Sequence, residues 1–112
     1  MDKNFVILEG RIASPIKKGK TKEGKPYCSF MLSCSPYSRE YHDRTENREE
    51  APFAVLVFDK RILEGLDDVG ARMGNRASVF ARLNGYSEEK NGKILYHTMV
   101  IARDVRIIKT KQ

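Results

Sequence analysis

Pro15–Tyr37, PIKKGKTKEGKPYCSFMLSCSPY, decides how the rest of the chain is read. Its first half is lysine-loaded and glycine-hinged, with Lys17, Lys18, Lys20, Lys22 and Lys25 against the lone Glu23. From Tyr27 the residues alternate. Cys28, Phe30, Leu32 and Cys34 point one way and Tyr27, Ser29, Met31 and Ser33 the other, the two-residue period of a strand. One face can be buried; the other is small, hydroxylated and sparsely aromatic, next to a cationic loop. A polyanion carrying flat rings could lie across such a face. Alone, the stretch fits an ordinary half-buried strand beside a solvated loop better, and the rest of the chain has to tip the balance.

Working outward, 112 residues make one domain with a workable core and no need of staples. Residues 1–109 are expected to form that domain, and 110–112 a basic end. With 40% hydrophobic and 32% charged residues the chain is globular rather than disordered, and its surface is heavily charged. The net charge of +6 favours an anionic partner such as nucleic acid. Ser38–Ala51 mixes Arg39, Arg44 and Arg48 with five acids, the composition of a solvated loop. Cys28 and Cys34, six residues apart on one strand, would be roughly 20 Å apart, beyond disulfide reach. They read as core thiols of a reduced, cytoplasmic chain. No apolar run reaches membrane-spanning length, and the N-terminus lacks a signal-peptide layout.

In chain order, Asn4–Ala13 is a strand with Val6, Leu8, Gly10 and Ile12 on one face and Phe5 and Ile7 on the other. A strand apolar on both sides is central or lies at a subunit interface, and Gly10 marks a bend or bulge. After the basic loop and the Tyr27 strand, Pro52–Asp59 is the third strand. Its Phe53, Val55 and Val57 share a face opposite Ala54, Leu56 and Phe58. Lys60–Met73 has Ile62, Leu63, Leu66 and Val69 at helical spacing, with Gly65 and Gly70 shortening the helix. Asn75–Asn84 follows as a strand with Ala77, Val79, Ala81 and Leu83 inward and Ser78, Phe80 and Arg82 outward. Asn91-Gly92 is the strongest hairpin signal and joins it to Lys93–Arg103, with Ile107 and Ile108 closing the sheet. The expected fold is all-β: five strands in a Greek-key barrel with a short helix between strands 3 and 4, the order of an OB-fold.

Catalysis has little to stand on. His42 and His97 lack a nucleophile signature around them, no residues have metal-ligand spacing, and GKTKEGK lacks the spacing and strand-to-helix context of a phosphate-binding P-loop. The expectation is therefore no enzyme, no metal and no cofactor. The outward aromatics Tyr27, Tyr37, Phe58, Phe80 and Tyr86 are more informative. Any one of them could be subunit packing, but five together with Lys60, Arg82 and Arg11 in reach, and with Lys17, Lys18 and Lys20 in the loop, point to nucleic acid. Rings stack on bases for roughly 1–3 kcal/mol each without reading sequence. Cations neutralise phosphates and release counterions.

By these residues the chain resembles the bacterial single-stranded DNA-binding proteins. NFVILEGRIASP is similar to that family's first strand, KEGKPYCSFMLS to its second and FAVLVFDKR to its third. MGNRASVFARL and NGKILYHTMVIARDV resemble the fourth strand and its hairpin partner. The resemblance spans about residues 4–108 and implies an OB-fold that binds single-stranded DNA in replication, recombination and repair. It implies Phe58 as a stacking residue and Lys60 as a phosphate contact. It also implies a homo-oligomer, a tetramer ahead of a dimer, for which Phe5 and Ile7 are the interface candidates. The family often has tryptophan at three further binding places. Here Tyr37 falls beside the first, Pro52-Phe53 at the second and Tyr86 two residues before the third, so weaker stacking is expected there. Members usually continue into an acidic tail that recruits replication and repair proteins, whereas this chain ends in IIKTKQ. A trimmed chain or a tailless relative is therefore expected. The alternatives are a dimeric primosomal replication-restart adaptor and, from another class, a protein-interaction OB domain presenting Phe58 and Phe80.

Overall fold

The computed structural model describes residues 2–35 and 51–108. Six strands and one helix follow in the order β1 (Val6–Ile12), β2 (Lys17–Lys20), β3 (Pro26–Cys34), β4 (Ala51–Val57), α1 (Lys60–Asp68), β5 (Arg76–Lys90) and β6 (Lys93–Ile108). The sheet order is β1-β5-β6-β4-β3-β2, and a further β1–β3 pairing closes the strands into a ring. All neighbours are antiparallel except β4 and β6, which run parallel through Val55↔Val100 and Leu56↔Ile101. This is the OB-fold arrangement expected from the sequence.

The alternation read from the Tyr27 strand places the core. Cys28, Phe30 and Leu32 of β3, Val55 and Val57 of β4, and Ala77, Val79 and Ala81 of β5 are all buried, with Ile12, Leu66, Val100 and Ala102 completing the cluster. The alanines of β5 leave room inside the ring for the larger side chains opposite.

Four local expectations change. The basic loop is partly a strand: Lys17–Lys20 pairs with Pro26–Ser29 around a turn in which Lys25 N–H donates to Thr21 Oγ1 at 3.1 Å. Gly10 is not a bulge. Its register with Ala77 is regular, and the irregularity lies between Phe80 and Ala81. What Gly10 provides is close approach, because a Cβ there would sit 2.2 Å from the Ser33 carbonyl oxygen. That is the point where β1 crosses β3 and the ring shuts.

The helix ends at Asp68 rather than Met73. Gly70, at φ +66°, takes the left-handed position after the cap. Gly70 N–H donates to Asp67 O and Ala71 N–H to Leu66 O, which together satisfy two terminal carbonyls. At the other end, the Asp59 carboxylate accepts from Arg61 N–H at 2.8 Å, an N-cap worth about 1 kcal/mol.

Finally, β5 and β6 run past the ring as a two-stranded arm. Asn91 and Gly92, at φ 53° and 76°, form its turn, which needs two positive φ values. Leu83, expected inward, lies at the root of this arm and is 40% exposed because the core has ended below it. Asn4 holds the arm root to the N-terminus: its Oδ1 accepts from Leu83 N–H at 2.8 Å and its Nδ2 donates to Leu83 O.

Candidate nucleic-acid interface

The outer face of β3 and β4 brings two of the expected rings together. Cys28↔Val57 pairing sets Tyr27 directly opposite Phe58, and the ring centroids are 5.8 Å apart with planes at 37°. Phe58 is 42% exposed, so its ring can meet a partner from solvent. On the other side Tyr27 lies opposite Gly19 of β2, where a Cβ would be 2.9 Å from the tyrosine ring. Gly19 thus makes room for the ring to lie flat along the sheet. Lys17 shares this face, opposite Ser29, and Lys60 follows Phe58 by two residues at the start of α1. Further along the same face come Leu56, Ile101 and Arg82, linked by register across β4, β6 and β5.

The lysines of β2 divide by strand parity. Lys18 and Lys20 lie opposite Cys28 and Pro26 and turn away from the ring face. They line a groove of about 850 Å³ between the β2–β3 hairpin and α1, together with Lys60 and Arg72. Across that groove Lys18 Nζ donates to Asp67 Oδ1 at 2.7 Å. The Asp67 carboxylate beside it raises the Lys18 ammonium above the ordinary lysine range. Lys60 Nζ is 4.0 Å from Glu64, one helical turn on.

The other expected residues fall elsewhere. Phe80 belongs with Phe5 and Ile7: it pairs in register with Ile7 and stacks on Phe5 at 6.4 Å and 25°. The Arg106 guanidinium sits 5.5 Å from the Phe80 centroid. Phe5 and Ile7 are 63% and 57% exposed, an uncovered apolar face on β1. Arg11 lies at the β1–β3 junction, opposite Ser33 and Arg76. Tyr86 is on the arm, and Tyr37 lies outside the described residues.

Two residues of the arm are not read as interface residues from the sequence, where His97 is weighed only for catalysis. His97 stacks on Tyr86 at 4.9 Å and 23°, and its Nε2 donates to Glu88 Oε1 at 2.8 Å. Counting back from Asn91-Gly92 pairs positions 86 and 97, so the hairpin signal already contained this contact. Tyr96, on the opposite face of the arm, is 81% exposed.

Among the described residues no group of three or more His, Cys, Asp or Glu side chains could hold a metal. No described helix is long and apolar enough to cross a membrane. Burial raises both thiols, Cys28 and Cys34, above the ordinary cysteine range.

A ring of OB-fold strands with an aromatic pair and cations on its open side is an arrangement across which a nucleic acid could lie. The model of the single-strand binding protein family matches residues 3–108, and the chain belongs to that family. It is a family of DNA-binding proteins rather than enzymes. No curated protein matches by sequence. Among solved structures the chain is similar to the Plasmodium falciparum SSB in complex with ssDNA, with TM-score 0.78, 18% identity and 97% of each chain covered. The Saccharomyces cerevisiae mitochondrial single-stranded DNA-binding protein Rim1 is matched equally well, with TM-score 0.78 and 18% identity over 99% of this chain and 100% of that one. The dimeric N-terminal domain of PriB from Thermoanaerobacter tencongensis is also similar, with TM-score 0.64 and 20% identity over 96% and 98% of the two chains.

Proposed function

We propose that this protein binds single-stranded DNA without regard to sequence, working as a homo-oligomer that covers strands exposed in replication, recombination and repair. The observation that carries the reading is the Tyr27–Phe58 pair, open on the sheet face beside Lys17 and Lys60 in a chain of this family. Bases stack on rings whatever their identity, and ammonium groups follow the backbone, so neither device reads a base edge. Arg82, Arg11 and the Tyr86–His97 pair extend the path across the sheet and onto the arm, and Lys18 and Lys20 supply charge from the groove side.

Titration of labelled oligo-dT, mixed single strands and duplex at several salt concentrations tests this. Similar affinity for the single strands, a weak duplex interaction, and a salt slope near −0.7 for each phosphate neutralised are expected. Tight duplex binding, or no binding at low salt, rejects the reading.

The likeness to the dimeric PriB domain favours a second reading, a dimeric adaptor of the primosomal type. Sedimentation separates the two. A tetramer supports the first; a dimer that binds single strands and also a replication-restart partner supports the second.

A further inference from the structure

We propose that Asp67 holds on Lys18 the place that a DNA phosphate takes, so that the Lys18–Asp67 pair is a latch between β2 and α1 which the strand opens as it binds. The inference rests on the single-strand reading above and adds to it the side chain that keeps one of the site's cations in reserve.

The pair is close but not protected. Nζ and Oδ1 are 2.7 Å apart, while the two side chains are 67% and 61% exposed. Water and salt reach both partners, so the pair is weak and exchange for a phosphate oxygen is cheap. Asp67 is also poorly placed on its own helix. It lies in the last turn of α1 with Asp68 beside it and no basic residue there. Anions at that end meet the negative pole of the helix dipole. Lys18 offsets this misplacement from the neighbouring hairpin. An arriving phosphate would find Lys18 at the rim of the groove that Lys20, Lys60 and Arg72 also line.

The latch has a signature in the ion balance. A free lysine that neutralises a phosphate on a single strand releases about 0.7 of a counterion. A latched lysine must first leave Asp67, and because salt screens that exposed pair the release is easier at high salt, which opposes part of the phosphate term. The Lys18 contact should therefore weigh less in the salt slope of the native protein than it does when Asp67 is neutralised.

The experiment titrates labelled oligo-dT over a range of salt with the full chain as it stands, Asp67→Asn, Lys18→Gln, the double variant and Asp68→Asn. Thermal unfolding of each checks the fold, and Asp67→Ser repeats the test should the asparagine variant fail to fold. Asp67→Asn is expected to bind about two- to fivefold tighter, the range an exposed ion pair can supply, with a steeper salt slope. Lys18→Gln should make the slope shallower by less in the native background than in the Asp67→Asn background, and should abolish the gain in affinity there. An equal gain in both Lys18 backgrounds, or the same steepening from Asp68→Asn, overturns the latch in favour of a general field effect. An unchanged slope makes the pair a structural staple only. Native protein that ignores oligo-dT at low salt sinks the parent reading as well, whereas native binding without a response to Asp67 sinks the latch alone.

Discussion

Phe80 lies against Phe5 with 6.4 Å between ring centroids, so a ring expected to meet bases shares a surface with a residue expected between subunits. Ile7 is its register partner on β1 and Arg106 covers part of the ring. Little of Phe80 is left for a base, and the exposed Phe5 and Ile7 enlarge an apolar patch that water disfavours. Phe5→Glu should shift sedimentation toward smaller species, and Phe80→Ala should do so more weakly. At concentrations where the assembly stays intact, Phe80→Ala should reduce oligo-dT affinity less than Phe58→Ala does. The reverse order would return Phe80 to the DNA face.

Phe58→Ala removes the ring facing Tyr27 without opening the core, since Phe58 points outward from β4. The loss expected is about 1–3 kcal/mol in single-strand binding, with thermal unfolding nearly unchanged. Tyr27→Ala should fall in the same range. The double variant should lose less than the sum, because each ring positions the other. A large drop in melting temperature for Phe58→Ala would put the residue in the core and reverse the face assignment.

Gly10→Ala attacks ring closure instead. The new methyl would meet the Ser33 backbone oxygen at 2.2 Å, and no side-chain rotation relieves a clash with backbone. Either β1 leaves β3 or the pair spreads, which puts the change in the exceptional range above about 4 kcal/mol. Denaturant unfolding of the variant is the measurement. A loss under about 1 kcal/mol would mean that β1 and β3 do not cross there.

How much of this was legible in the sequence follows the physics of each element. Strand faces were readable from Cys28, Phe30 and Leu32, and from Ala77, Val79 and Ala81, because burial on one side forces a period of two. Asn91-Gly92 announced its turn because few other dipeptides accept two positive φ values. Lys17–Lys20 did not look like a strand, since its pairing is bought by the neighbour β3 rather than by its own side chains. The division of the aromatics was hidden for a different reason. Periodicity says that Phe58 and Phe80 both point outward, but a closed ring has more than one outside, and only the pairing order tells which. Leu83 failed because alternation cannot show where the core ends and the arm begins.

Both cysteines carry thiols that burial holds above their ordinary range. The folded chain therefore keeps these protons to higher pH than the unfolded chain does. Below the ordinary cysteine range both states are protonated and the contribution to stability is fully present. Above it the unfolded chain ionises first, and stability falls as pH rises toward the folded values. Denaturant midpoints measured from neutral to alkaline pH should decline, and Cys28→Ala should flatten part of that decline. In native protein Cys34, half-buried, should react with a thiol reagent before Cys28, which is sealed in the core.

Gly19→Ala tests whether the flat lie of Tyr27 matters to binding. Gly19 is opposite Tyr27 in the β2–β3 register, and an added methyl would stand 2.9 Å from the ring at both Cζ and the hydroxyl oxygen. Unlike the backbone clash at Gly10, this one can be relieved, because the tyrosine side chain can swing away. Movement of the ring would carry it from its place 5.8 Å from Phe58 and spoil the shared stacking surface. Stability should change by less than about 1 kcal/mol, as for a surface substitution. Oligo-dT affinity should fall by several-fold, toward the value for Tyr27→Ala. In a Tyr27→Ala background the same glycine substitution should cost almost nothing more, since the ring it displaces is gone. An equal loss in both backgrounds would mean that the methyl acts through the hairpin backbone, and the ring would not be what Gly19 serves.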